Sequence, residues 1–277
     1  MMELPEGLDA RAVRAIAMDL DRTILGASLE LTPRLVAAVR ATAASGVVPI
    51  VATGRMLRSS RPFALQMGVT APLICYQGAL VADPQTGSWL FHDPMPVDLA
   101  REVIAACRSR HQHCNVYVDD ELYVDELNLY ALEYARHAKL EAHPVGDLER
   151  WLTQPTTKIV VVGEPELLDA LQIELREIFG RRVFIAKSLP FFLEVAQPEV
   201  SKGSALHWVC RRNEIDPAHV VAFGDGANDI ELLQEAGLGL AVADADPALL
   251  EHAQGIVPGV EDDGVARFLE SLVSARA

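Results

Sequence analysis

Two aspartates one residue apart, Asp19 and Asp21, follow the apolar run Ala15-Ile16-Ala17-Met18 in the stretch AIAMDLDRTIL. Side chains two apart in an extended chain point the same way, so both carboxylates address one spot beyond the end of the strand. In open parallel sheets, ligands bind at that edge. Ionised carboxylates repel each other at short range and are costly to take out of water, so a cation is expected beside them. Taken alone, the pair is equally accounted for by two turn-forming aspartates that cap a strand.

Three further groups could act with it. In VATGR, Thr53-Gly54-Arg55 offers a hydroxyl, a glycine amide and a helix N-terminus, which together make an anion site; a plain N-cap role for Thr53 is the alternative. In VSKGSAL, Lys202 falls in the first turn of a helix capped by Ser201, where a cation opposes the macrodipole. A phosphate-binding lysine accounts for that placement. In FGDGANDIELL, capping accounts for Asn228 or Asp229, but not for Asp225 between Gly224 and Gly226. Carboxylates from two strands can cage a hard cation, and Mg²⁺ takes few protein carboxylates and keeps waters for a substrate phosphate. With Thr53 and Lys202 around the same phosphoryl group, the set reads as a site for phosphoryl transfer to an aspartate.

The elements that must position these groups alternate short apolar runs with segments of helical period, the pattern of βα units and a parallel sheet. VRAIAM, VVPIVA and APLICY are predicted strands, apolar throughout as for strands covered on both faces. A helix is predicted to open at Thr32-Pro33 and close near Gly46, and another to run from about Arg55 to Gln66. Near Asp83 the rhythm changes to a turn and a short strand in DPQTGSWLFHDP, then a hairpin in CNVYVDDELYVDE, with TKIVVVG and RRVFIAKSLPFFLEVAQ as further strands. Helices are predicted around Leu99 to Arg110, Leu127 to Lys139 and Pro165 to Phe179. After Ser201 the βα rhythm resumes, with a helix in KGSALHWVCRR, a strand in HVVAFG, a helix in NDIELLQEAG, a strand in LGLAVA and a closing helix from about Asp263. Residues 84–198 therefore read as an inserted α+β domain, and 1–83 with 199–277 as one discontinuous core.

Half of the 277 residues are hydrophobic and 23% are charged, a globular composition without a run long enough to span a membrane. The start, MMELPEGLDARAV, has no basic segment followed by an apolar one, which points to the cytoplasm. With 24 basic against 39 acidic residues the formal net charge is −15, which disfavours general nucleic-acid binding and anionic lipid. An acidic surface also repels phosphate esters at long range, so local cations are needed. Cys75, Cys107, Cys114 and Cys210 include no CxxC pair and are read as reduced, packed thiols.

The ordered set Asp19-x-Asp21-x-Thr23, Thr53-Gly54-Arg55, Lys202-Gly203 and Gly224-Asp225-x-x-Asn228-Asp229 resembles the haloacid dehalogenase superfamily of phosphohydrolases. The insert between the Thr and Lys motifs, and GVEDDGVARFLE near the end, resemble its Cof-type branch. The resemblance implies an α/β fold, with a Rossmann-like core around a parallel sheet and an inserted α/β cap that closes over substrate. It implies that Asp19 is the nucleophile and Asp21 the general acid and base, with Lys202 holding Asp19. Phosphate contacts would come from Asp19, Leu20, Thr53, Gly54, Lys202 and Asn228, the last touching either the phosphoryl group or Lys202. Mg²⁺ would be held by Asp19, Asp225 and the Asp21 carbonyl, with Asp229 acting through metal-bound water. The implied substrate is a small phosphate ester, and the chain is expected to be a monomer or a weak homodimer.

The sequence departs from the family pattern at three places. Arg22 stands where glycine is usual, Gln77 replaces an asparagine, and Ala243-Asp244 replaces Gly-Asn. Arg22, Arg55 and Gln77 are candidate contacts to cap or substrate. Rival readings are a phosphomutase or other phosphotransferase, a glycosyltransferase using Asp-Leu-Asp as a metal-bridged site, and a binding protein on a degraded scaffold. His111-Gln112-His113-Cys114 lacks a second ligand pair and is set aside as a metal site. The run Glu261 to Gly264 is read as a solvated loop and helix start, and Trp151, Phe191 and Phe192 as core of the insert.

Overall fold

The computed structural model describes residues 2–277, and the chain divides into two compact units, residues 1–91 with 201–277 and residues 92–200.

The first unit begins with β1 (Ala15–Met18), α1 (Pro33–Ala44), β2 (Val48–Val51), α2 (Leu57–Met67), β3 (Leu73–Cys75), β4 (Leu80–Ala82) and β5 (Trp89–His92). Thr32 caps α1, its hydroxyl accepting from the Leu35 amide at 3.1 Å, and Pro33 occupies the first turn where no amide is needed. Helix α2 starts two residues later than its pattern predicts, because Met56 is extended (φ −68°, ψ 159°) and leaves Arg55 in the preceding loop. Strand β3 does not simply extend a parallel sheet. It joins the rest through one bridge, Ala52 to Ile74, and pairs antiparallel with β4 in a three-stranded sheet ordered β3-β4-β5. Residues 84–91, read from sequence as the start of the insert, therefore stay with the first unit. The reason is β5, whose pairing ties it to β4 after the Asp83 turn, where the Asp83 amide donates to the Ser88 carbonyl at 2.9 Å.

The second unit holds α3 (Val97–Arg108), β6 (His113–Val118), β7 (Glu121–Val124), α4 (Leu129–Ala138), β8 (Ala142–Pro144), α5 (Leu148–Trp151), β9 (Lys158–Val162), α6 (Pro165–Phe179), β10 (Phe184–Leu189) and β11 (Phe192–Ala196). Its six-stranded sheet runs β10-β11-β9-β6-β7-β8. Asp119 and Asp120, both at positive φ, make the tight turn between β6 and β7. Alternate residues Cys114, Val116, Val118, Ile159, Val161, Leu193 and Val195 bury one face against α3 and α6. The residues between them bring polar groups to the other face, including a buried ion pair of Lys158 with Glu194 at 3.2 Å and a 2.6 Å hydrogen bond between the Tyr117 and Tyr134 hydroxyls. His113 is committed to Asn115 and Asn128, at 2.9 and 3.2 Å, while Cys114 lies among apolar side chains. Phe192 is buried and Trp151 packs on Tyr123, but Phe191, read as core, is exposed.

The chain then returns to the first unit as α7 (Lys202–Arg212), β12 (Val220–Gly224), α8 (Ile230–Glu235), β13 (Leu238–Val242), α9 (Pro247–Leu250), β14 (Gly255–Val257) and α10 (Gly264–Arg276). The main sheet is five-stranded and parallel in the order β14-β13-β12-β1-β2. Strand β1 is central, with Met18 level with Phe223 on one side and Val51 on the other. Among the described residues all four cysteines are buried thiols outside any disulfide, and no helix is long and apolar enough to cross a membrane.

Candidate active site

Neighbouring strands of the main sheet end in register, so the residues that follow them converge. Asp19 follows β1 and donates its amide to the Phe223 carbonyl at 3.0 Å; Thr53 lies just past β2, and Asp225 follows β12. The chain after Asp19 folds into a tight loop. The Ile24 and Leu25 amides return to the Leu20 carbonyl, and the Arg22 amide donates to Leu25, with Arg22 at φ +59°. Leu20 is fully buried and anchors the loop.

Lys202, the first residue of α7, is buried beneath this edge. Its ammonium donates to Asp19 Oδ1 at 2.6 Å and to Asp229 Oδ1 at 2.7 Å, joining residues 183 apart in sequence. Asp229 Oδ2 in turn accepts from the Asp225 and Gly226 amides at 3.0 and 3.1 Å. Two glycines permit this closeness. A Cβ on Gly203 would lie 2.3 Å from the Glu231 carbonyl oxygen, and one on Gly224 would lie 2.5 Å from the Asp229 Cβ. The Thr23 hydroxyl stands 3.2 Å from Asp225 Oδ1 and 3.4 Å from Asp19 Oδ2 and can donate to either. The motif alone assigns Thr23 no role; its place two residues past Asp21 is the only signal the sequence carries for it.

Carboxylate oxygens of Asp19, Asp225 and Asp229 all lie within 4.8 Å of one another, and all three residues are buried. Three carboxylates facing one buried ammonium leave an excess of negative charge. Burial pushes the Asp19 carboxyl well above the ordinary carboxylate range against the pull of Lys202, and the neighbouring Asp229 and Asp225 add to the rise. Burial, with Asp229 beside it, raises Asp225 to about 6, although Arg22, Lys202 and the Thr23 hydroxyl pull the other way. Burial disfavours the Lys202 ammonium, but Asp19 and Asp229 outweigh it and hold that group above its usual range. A hard, all-oxygen donor set short of positive charge is compatible with a divalent metal. Asp229, with both oxygens already hydrogen-bonded, is the member best suited to orienting the others.

Asp21 is not among those three carboxylates. It is half-exposed, and Arg55 grips it with both arms of its guanidinium, Nε at 2.7 Å from Oδ2 and an Nη against Oδ1. Arg55 itself lies 5.5 Å over the Phe63 ring. The Thr53 hydroxyl accepts from the Arg55 amide at 3.2 Å. Gln77, at φ +60°, packs its amide against Gly54, where an added Cβ would meet Nε2 at 2.4 Å. Its Oε1 accepts from the amide of Asn228 at 3.0 Å, so Asn228 engages Gln77 while Lys202 engages Asp19 and Asp229. Arg22, a candidate contact to cap or substrate, reaches Asp225 Oδ2 at 3.3 Å and the Asp244 carbonyl at 3.1 Å.

Known proteins resemble the chain along almost its whole length. It is 27% identical over 264 residues to the 5-amino-6-(5-phospho-D-ribitylamino)uracil phosphatase YitU of Bacillus subtilis (strain 168), covering 94% of this chain and 97% of the relative. It is 28% identical over 267 residues to the pyridoxal phosphate phosphatase YbhA of Escherichia coli (strain K12), covering 93% and 98%. The crystal structure of TM0651 from Thermotoga maritima superposes with a TM-score of 0.84 at 30% identity, covering 94% of this chain and 97% of that one. Residues 16–269 match the haloacid dehalogenase-like hydrolases, a span that takes in Asp19, Asp21, Thr53, Lys202, Asp225 and Asp229, and the chain belongs to that family.

Proposed function

We propose that this protein is a Mg²⁺-dependent phosphatase that hydrolyses a small phosphate monoester, such as a sugar phosphate or a phosphorylated cofactor, through an aspartyl-phosphate on Asp19. The observation that carries the reading is the Lys202 ammonium held between Asp19 and Asp229, with Asp225 in the same cluster at the carboxyl end of the sheet. The named activities of YitU and YbhA, both on small phosphorylated molecules, support the substrate class.

Uncatalysed phosphate-monoester hydrolysis is among the slowest reactions known, so a catalyst must remove on the order of 20 kcal/mol from the barrier. An Asp19 oxygen forms a bond to phosphorus as the ester P–O bond breaks, and Asp21 gives its proton to the departing alkoxide oxygen. Water then attacks the phosphorus, its proton passes to Asp21, and the Asp19–phosphorus bond breaks to free phosphate. Lys202 fixes Asp19 and offsets charge on the phosphoryl oxygens, while Thr53, Gly54 and the Leu20 backbone line the approach. Asp19, Asp225 and the Asp21 carbonyl would hold Mg²⁺, with Asp229 orienting them. When bound, the ion supplies electrostatic stabilisation of the transferring phosphoryl group. Four buried cysteine thiols outside any disulfide accord with a reducing, cytoplasmic setting.

The test is a phosphate-release screen over sugar phosphates, nucleotides and phosphorylated cofactors, with Mg²⁺ and with chelator. Release that needs Mg²⁺ and disappears in Asp19→Asn is expected. Activity indifferent to chelator would refute the metal role, and transfer of the phosphoryl group to a second sugar would mark a phosphotransferase. A nucleotide-sugar site bridging Asp19 and Asp21 is disfavoured because Arg55 holds the Asp21 carboxylate.

A further inference from the structure

Arg22 occupies a left-handed backbone position, φ +59°, that glycine fills at no steric cost and that any side chain makes less favourable. Its guanidinium lies 3.3 Å from Asp225 Oδ2 and donates to the Asp244 carbonyl at 3.1 Å. The two partners of the ion pair differ sharply in exposure, 62% for the Arg22 side chain and 9% for Asp225. Asp225 Oδ1 already faces the Thr23 hydroxyl. A cation approaching Asp225 through Oδ2 must therefore meet Arg22 first. The guanidinium, mostly in solvent and otherwise held by one neutral hydrogen bond, can swing aside without unpacking anything.

We infer that Arg22 is a tethered cation that competes with the divalent metal for Asp225, holding that carboxylate neutralised when the metal is away and weakening metal affinity when it is present. The inference rests on the reading of Asp225 as a metal ligand. It also explains how an arginine is tolerated at a strained position: it compensates part of the negative charge left by three carboxylates around one lysine.

The test is calorimetric titration of the protein with Mg²⁺ alone, together with thermal unfolding in chelator and in saturating Mg²⁺. Arg22→Gln keeps an unbranched polar side chain and the backbone strain but is shorter and removes the charge. It is expected to bind Mg²⁺ about two- to five-fold more tightly, the range set by losing one partly exposed ion pair. Its Tm should fall in chelator and recover in Mg²⁺, so that the metal-induced rise exceeds that of the wild type. Arg22→Gly, suited to the backbone conformation, should tighten Mg²⁺ binding in the same way, and Arg22→Lys should restore wild-type affinity. Binding unchanged or weaker in both Arg22→Gln and Arg22→Gly, with wild type binding Mg²⁺ normally, overturns the role of Arg22 alone. Absence of any Mg²⁺ binding by wild type, matched by Asp225→Asn, overturns the metal reading and this inference together.

Discussion

Arg55 holds Asp21 with a two-point fork, and Asp21 thereby stands apart from the carboxylate cluster that begins two residues before it at Asp19. Two aspartates expected from their spacing to address one spot thus meet opposite fates: Asp19 is tied to a buried lysine, Asp21 to a partly exposed arginine. A carboxylate that must exchange a proton with substrate and water needs a fixed position and access to solvent: the fork fixes Asp21, and 46% of its side chain remains exposed.

Removing the fork should damage proton transfer more than phosphoryl binding. Arg55→Ala is expected to lower kcat about ten- to a hundred-fold on alkyl phosphates, less than the roughly 10²–10⁴-fold that general acid catalysis supplies in full, because Asp21 itself remains. The loss should be much smaller on p-nitrophenyl phosphate, whose leaving group needs no proton. Arg55→Lys keeps the charge but cannot make the fork, and should resemble Arg55→Ala. Equal losses on both substrates would show that Arg55 serves binding instead.

Lys202 is the cation on which the cluster depends. Lys202→Met leaves Asp19 and Asp229 buried without it, and such a break in a buried ion pair costs about 3–5 kcal/mol. Asp19→Asn removes one of the excess charges, so it should unfold at a higher temperature than Lys202→Met while being equally inactive. Chemical denaturation of the two variants in chelator checks the order.

These two lysine and arginine contacts mark the border of what sequence could reveal. Asp225 is legible because an acid between two glycines at the end of a short apolar strand has few structural explanations, Asp19 because the other candidate groups fall at the same edge of the predicted sheet, and Ser201 before Lys202 announces its helix. The helix Pro165–Phe179 is legible at both ends because proline opens it and glycine follows it. Strand β5 was assigned to the wrong unit because its membership depends on pairing with β4, a three-residue strand too short to carry a period. Strands β8 and β14 went unread for the same reason. The partners of Arg22 and Gln77 lie more than 150 residues away in the chain, Asp244 for one and Asn228 for the other, and no local pattern encodes them.

The pH dependence of the metal-free protein has a definite sign. The Asp225 carboxyl in the folded chain is raised from an ordinary 3.8 to about 6, so the folded state holds its proton over a window where the unfolded chain has lost it. Its contribution to stability is therefore present below pH 3.8 and lost as pH rises through 6. In chelator, Asp225→Asn should gain stability relative to wild type between pH 4.5 and about 7. Thermal unfolding of both proteins across that range gives the difference; a gap that stays constant or shrinks would contradict the buried-charge account.

The approach of α7 to the start of α8 can be tested without touching a charged group. Gly203→Ala sets a methyl 2.3 Å from the Glu231 carbonyl oxygen, a backbone atom that cannot rotate away. The helices must separate, at a cost of about 1–3 kcal/mol as for other overpacked sites. Because Lys202 precedes Gly203 and Asp229 lies just before α8, that separation should stretch the Lys202–Asp229 contact of 2.7 Å directly. The variant is expected to fold with a lowered Tm and to lose phosphatase activity beyond what its stability accounts for, measured well below its Tm. Retained activity with the same loss of stability would mean that the lysine follows the helix without cost and that the glycine serves packing alone.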